Sequence, residues 1–227
     1  MIQKVKKERI VTMTTLIFVR HGQSEGNLKK IFTGQLDLPL TELGRAQAQR
    51  TAEYLCANYK IDAIYSSDLQ RSMDTAAATA RRLSLEVIPE VGLREYYVGD
   101  WQGVYFEEIP KRFPTEHWAW RNDFASFHPF GGESADEFSQ RIFQTVDRIV
   151  SENEGKCVAI FTHATPIRLM RGRAEGLPMG ETHGIPAGPN AAISIIEFDE
   201  DRNPGLLLYG YAEHQQVQSG TTPTALA

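Results

Sequence analysis

The chain has 227 residues with 41% hydrophobic and 23% charged side chains, the balance of a globular protein long enough to bury a substantial core. A formal charge of −5 excludes general affinity for nucleic acid or an anionic membrane, so any anion site has to be built locally from a few arginines in a cleft. No apolar run approaches the length of a membrane span.

Residues 1–12 read as a flexible extension. The opening MIQKVKKERIVTM is basic but lacks the small-residue cleavage site of a secretion signal, and Met13 is an alternative start. Leu16 to Val19 are four consecutive apolar residues without polar alternation, which predicts a strand covered on both faces in a parallel sheet. Arg20, His21 and Gly22 follow, at the strand end where open α/β sheets place their ligand crevices. Gly22 is expected to let the backbone turn and come close to a ligand. An imidazole can act as base, metal ligand or nucleophile. Arg20 beside it repels a metal cation and presents a planar fork to phosphate. A nucleophilic histidine is therefore one reading, and a histidine that merely hydrogen-bonds a loop is the other.

Thr33-Gly34 predicts a turn, Pro39 an extended entry, and Thr41 the N-cap of a helix carrying Ala48, Ala52, Leu55 and Tyr59 on one face. Ile61 to Tyr65 reads as a second strand. A helix beginning near Ser67 or Asp68 then places Arg71 in its first turn, at the same sheet edge as His21. Arg71 there either pairs with Asp68 or Asp74 on the surface or points at a bound anion.

Leu85 to Ile88 reads as a third strand leading into Glu95, which sits among Tyr96, Tyr97 and Trp101. That setting suits a desolvated carboxyl of raised pKa, and an ion pair with Arg94 is the alternative. Residues 104–132 are aromatic and broken by Pro110, Pro114 and Pro129, as expected of a lid-like insertion or a small core of its own. His117 and His128 read as lid or surface residues.

Glu133 to Asn153 predicts a helix with Phe138, Ile142, Val146, Ile149 and Val150 on one face, closed by Gly155. Val158 to Phe161 repeats the opening pattern: a buried strand, then His163, then a helix start with Pro166 in its first turn. Two histidines at the ends of two buried parallel strands can converge on one crevice. Ile193 to Phe198 and Leu206 to Tyr211 read as final strands, and His183 in the loop before them as solvated. Cys56 and Cys157 have neither metal nor redox spacing and suit free thiols in a reducing, cytoplasmic compartment. Residues 13–214 read as one domain and 215–227 as a disordered tail.

With these residues in hand, the sequence resembles the histidine phosphatase superfamily, also called phosphoglycerate mutase-like, from about Thr15 to Tyr211. The resemblance rests on Arg20-His21-Gly22 with Ser24 and Asn27, Gly34, Asp37 to Thr41, Ser67-Asp68-Leu69 with Arg71, Thr75 and Ala76, Leu93-Arg94-Glu95 with Gly99 and Trp101, Gly132-Glu133-Ser134, and His163 within Thr-His-Ala-Thr-Pro-Ile-Arg. It implies a three-layer α/β/α sandwich with a mostly parallel sheet and helices on both faces. By the same resemblance His21 attacks phosphorus, Arg20, Arg71 and His163 hold the phosphoryl oxygens, Asn27 adds a hydrogen bond, and Glu95 serves as acid and then base. Gly34, Gln35 and Ala164 are expected against the substrate. No metal and no cofactor are implied.

Two positions depart from the family pattern. Gln23 stands where glutamate is common, with an expected effect on the pocket mouth, and Ala164 stands where glycine is common. The short, aromatic stretch from Glu95 to His163 favours hydrolysis of a small phosphorylated metabolite, as in the broad-specificity phosphatases. Ribazole phosphatase and sugar bisphosphatase readings stay open. Adjacent Lys111 and Arg112 could bind a second anionic group and keep a mutase reading open. A non-catalytic binding protein of the same fold is the remaining alternative, and a homodimer is allowed.

Overall fold

The computed structural model describes residues 13–216, so residues 1–12 and the tail beyond Gln216 lie outside the described residues. Six strands form one sheet: β1 (Thr14–Arg20), β2 (Ala63–Ser66), β3 (Val87–Pro89), β4 (Cys157–Thr162), β5 (Ile193–Phe198) and β6 (Pro204–Tyr211). The helices are α1 (Glu25–Lys29), α2 (Glu42–Asn58), α3 (Gln70–Leu83), α4 (Ile109–Arg112), α5 (Pro114–Asn122), α6 (Ala135–Glu152), α7 (Ala164–Ala174) and α8 (Met179–Thr182). Among them none is long and apolar enough to cross a membrane.

The spatial order is β3-β2-β4-β1-β5-β6. The first four strands are mutually parallel, β5 runs antiparallel to β1, and β6 antiparallel to β5. The expected sandwich is present, with the parallel set confined to the four strands β3-β2-β4-β1, which carry the motifs.

The unbroken apolar run of β1 is explained by its central place. Leu16 and Phe18 pack on one face with Phe138, Ile142, Val146 and Ile149 of α6. Ile17 and Val19 pack on the other with Leu55 of α2 and Ala76 and Ala80 of α3. Each such side chain contributes about 1.5–3 kcal/mol by burial, and alternate residues along one strand thereby join three layers. Ser134 and Glu137 close a capping box at the start of α6, which fixes where that helix begins.

Several boundaries differ from expectation. α3 starts at Gln70 behind Leu69, which makes no side-chain cap. α6 ends at Glu152 with Asn153 as its C-cap, and Gly155, at φ 72°, serves the following turn instead. The stretch 104–132 is partly helical, containing α4 and α5, and its aromatics form no separate core. Phe124 and Phe127 are buried in the same cluster as α6, with Trp101 and Phe127 ring centroids 5.0 Å apart. Gln215, assigned to a disordered tail, lies in a short 3-10 helix, where its amide donates to the Gln47 carbonyl and the Thr51 hydroxyl.

Candidate active site

β1 and β4 are adjacent and in register, with Arg20 opposite Thr162. The residues that follow, His21 and His163, therefore leave the sheet side by side. Their rings meet edge to face, with centroids 5.1 Å apart at 61°. His21 is 5% exposed and His163 fully buried. Nδ1 of His21 lies 2.7 Å from the Gly22 carbonyl. A carbonyl only accepts, so Nδ1 carries the proton and Nε2 keeps its lone pair. Burial, then the charges of Arg71 and Arg20, hold the His21 pKa well below the usual imidazole range.

Gly22 is required for a different reason from the expected one. A Cβ there would lie 2.4 Å from the Gly44 carbonyl oxygen, and one on Gly44 would lie 2.0 Å from the Gln23 oxygen. The close approach is to the first turn of α2, whose N-cap is Thr41. Gln23 likewise faces this helix: its amide oxygen accepts from the Thr41 hydroxyl at 2.9 Å, so the substitution does not act at the pocket mouth.

Arg71 is 1% exposed and has no carboxylate partner; Asp68, an anticipated partner, pairs instead with Arg94. Its Nη1 and Nη2 donate to the Leu36 and Gly34 carbonyls at 2.7 Å each, and its buried Nε has no partner among the described residues. Burial lowers its pKa to about 10, so it remains a cation. Arg20 donates to the Gly188 carbonyl at 2.6 Å, and its Nε is also buried without a partner. His163 meets the Ser67 hydroxyl through Nε2 at 2.8 Å, leaving Nδ1 buried and unpartnered. Asn27 uses its carbonyl oxygen to accept from the Ser24 N–H and from Asn190, which leaves its NH2 as the free donor. Two guanidinium groups and an amide thus share the cavity of His21 with unspent donors, the arrangement that stabilises a phosphoryl group gaining charge, while the His163 ring packs against His21 without lining that cavity.

Glu95 enters from the other side. Its carboxylate accepts from the Tyr96 N–H at 2.8 Å and from the Thr165 N–H in the first turn of α7 at 3.4 Å. The neighbouring aromatics do not enclose it. Tyr96 turns into the core, with its ring 4.8 Å from Phe138, Tyr97 is exposed, and the Trp101 indole donates to Glu116. Arg94 is not its partner either.

One cavity of about 880 Å³ contains Arg20, His21, Asn27, Gly34, Arg71, Glu95 and Ala164. Gln35 does not line it. Its amide donates to the Glu95 carbonyl and accepts from Arg94, so it buttresses the segment carrying Glu95. Lys111 and Arg112 are also absent from the lining, and Arg112 pairs with Glu108 on the surface.

Among the lining residues that escaped the sequence reading of the site are Trp120, Arg121, Arg168 and His183. Arg168 could have been found from its spacing, since it shares a helix face with Ala164, one turn earlier. His183 is not solvated. Its ring lies 4.3 Å from Trp120 and 5.2 Å from Phe124, and burial, then Arg168 and Arg121, lower its pKa to about 4. The thiol of Cys157 is pushed by burial to about 11 and is distant from this chemistry in character.

The model of the histidine phosphatase superfamily (branch 1) matches residues 16–209. A bifunctional protein of Mycobacterium tuberculosis is 36% identical over 190 residues, covering 84% of this chain and 52% of that protein. The chain therefore spans about half the length of that relative. A glucosyl-3-phosphoglycerate phosphatase of Mycolicibacterium vanbaalenii is 36% identical over 171 residues, covering 72% of this chain and 75% of that one. The solved structure of a mycobacterial glucosyl-3-phosphoglycerate phosphatase superimposes with a TM-score of 0.80 at 30% identity, covering 88% of this chain and all of the other.

Proposed function

Because the chain belongs to the histidine phosphatase superfamily, we propose that it is a phosphatase that hydrolyses small phosphate monoesters through a phosphohistidine on His21. The observation that carries this reading is the state of His21, buried and neutral with its proton turned to the Gly22 carbonyl. Nε2 is then available for in-line attack on phosphorus. The N–P bond forms as the ester P–O bond breaks, and a proton from Glu95 goes to the departing alkoxide. Water then attacks phosphorus and gives a proton to the Glu95 carboxylate, and the N–P bond breaks to release phosphate. Arg20, Arg71, His163 and Asn27 hold the phosphoryl oxygens throughout, and no step calls for a metal. Gly34 and Ala164 line the cavity and would bound the substrate, whereas Gln35 supports the segment that carries Glu95. Cys56 and Cys157 form no disulfide, which supports a cytoplasmic setting.

The test is phosphate release with chelator present, from p-nitrophenyl phosphate and a panel of monoesters, beside 3-phosphoglycerate with and without 2,3-bisphosphoglycerate. Release across the panel, with an acid-labile phosphoryl label on His21, is expected. No turnover, or fast cofactor-dependent interconversion of phosphoglycerates with scant hydrolysis, would overturn the assignment.

A further inference from the structure

Beyond the phosphoryl pocket the same cavity continues to a wall formed by Arg168 of α7, Arg121 of α5 and His183. The two arginines come from different elements and line the same cavity as the His183 ring, whose charged form both disfavour. Several arginines elsewhere in the molecule hold a carboxylate, as Arg94 holds Asp68, Arg141 holds Glu133 and Arg171 holds Glu175, whereas exposed Arg45 donates to a backbone carbonyl. Arg20 and Arg71, at the phosphoryl end, spend donors on backbone carbonyls. Among the described residues Arg168 and Arg121 form no ion pair and no hydrogen bond, and the buried Nε of Arg168 has no partner. Arg168 is largely buried, and that burial lowers its pKa. The acids nearby do not discharge this wall. Glu95 is within electrostatic reach of Arg168 but is held by the Tyr96 and Thr165 N–H groups, and Glu181 on the rim makes no ion pair with either arginine.

A half-buried guanidinium with no ion-pair partner, offset only by Glu95 at a distance, is costly unless something anionic arrives. Arginine's planar fork suits carboxylate and phosphate alike. The remaining volume is also in excess: a phosphoryl group needs little of about 880 Å³. Phe106 and Trp120 offer apolar walls along the way.

We propose that Arg168 and Arg121 form a second anion subsite, so that the substrate is a phosphate monoester carrying another acidic group, a carboxylate or a second phosphate, at its far end. This rests on the phosphatase reading for the word substrate, but the subsite itself is a statement about binding. The role foreseen for Lys111 and Arg112 thereby passes to residues that face the cavity.

Binding is measured by calorimetry on the His21→Ala protein, which does not depend on turnover, with three probes: 3-phosphoglycerate, glycerol 3-phosphate and glycerol 1,3-bisphosphate. Either doubly acidic probe is expected to bind about tenfold or more tighter than glycerol 3-phosphate, as for a charge-assisted fork. The tighter of the two identifies the second group. Arg168→Gln or Arg121→Gln in the same background should bring that ratio to within about twofold. Arg121 is exposed, so its variant keeps the test valid if the Arg168 variant unfolds. Equal affinities for all three probes, or a preference that survives both substitutions, would overturn the subsite. A preserved preference in binding beside a wild-type protein that hydrolyses nothing would instead overturn the phosphatase reading and leave the subsite standing.

Discussion

His21 and His163 stand edge to face, ring centroids 5.1 Å apart, and both are held neutral by burial and by the same cation, Arg71. One ring has its Nδ1 proton fixed on the Gly22 carbonyl and the other has an unpartnered Nδ1. Their substitutions should therefore differ in kind. In the proposed mechanism His21→Ala removes the attacking nitrogen and should lower kcat below detection while the fold remains. His163→Ala removes one stabilising contact, and a loss of about 10²–10³ in kcat is expected. Steady-state assays with p-nitrophenyl phosphate and circular dichroism check both. Comparable residual rates for the two variants would contradict the division of roles.

The uncompensated cations predict strong stabilisation by an oxyanion. Inorganic phosphate at about 100 times its Kd adds about 2.7 kcal/mol, which for a chain of this size raises Tm by about 5–10 °C. Arg71→Met should abolish most of that shift. It should also lower Tm without ligand, because the Gly34 and Leu36 carbonyls lose their donors at about 1–3 kcal/mol each. Differential scanning fluorimetry with and without phosphate reads both effects.

In the proposed mechanism Glu95 gives and then takes a proton, so its value depends on the leaving group. Glu95→Gln should slow alkyl phosphates by about 10²-fold or more, a usual size for general acid catalysis. p-Nitrophenyl phosphate, whose leaving group needs little protonation, should suffer much less in the bond-breaking step. Pre-steady-state phosphorylation rates on the two ester types provide the comparison, and equal losses would make Glu95 structural.

The interlock of Gly22 with Gly44 predicts a steep cost for a single methyl. Gly44→Ala should destabilise the protein by about 1–3 kcal/mol, as overpacking against immovable backbone does, and should lower kcat by displacing residues 22–24. Gly205→Ala, outside the cavity lining and with an added Cβ meeting only the Glu197 carbonyl oxygen at 4.0 Å, is the control and should leave both unchanged. Urea unfolding with parallel assays distinguishes them.

Acid should unfold the protein early. The unfolded imidazoles titrate near 6.5, whereas His21 and His163 titrate well below that when folded and His183 and His214 at about 4. The unfolded chain therefore binds more protons in this window, and stability is full above about pH 6.5 and falls as pH drops below it. The slope for each fully buried ring is at most about 1.4 kcal/mol per pH unit, less for half-buried His183 and His214. Urea midpoints measured between pH 7 and 5 should decline, and a flat profile would contradict the buried-neutral assignment.

The parts of this molecule legible in the sequence were those set by strand period and position. β1 and β4 are unbroken apolar runs because both faces are covered, and a residue at a strand's end has only one place to go, so the convergence of Arg20, His21 and His163 could be read in advance. Arg71 was half legible: its place on α3 followed from the helix start, but its two carbonyl partners belong to a loop whose path no periodicity records. Of the far wall only Arg168 was legible, through its spacing from Ala164. Arg121, Trp120 and His183 meet through the packing of α5 on the loop after α8, long-range contacts between irregular segments. The aromatics beside Glu95 misled for a related reason, since adjacency in sequence says nothing of which way Tyr96 turns.

The registration of Arg20 opposite Thr162 has a consequence for how such a protein can change. The spacing of the two histidines is a property of paired main chains, whereas the far end of the cavity is built by segments 104–132 and 179–187. Those segments can lengthen, shorten or exchange residues without touching the hydrogen bonds that set the reacting distance. Appetite for new metabolites can then drift over generations while the chemistry stays inherited.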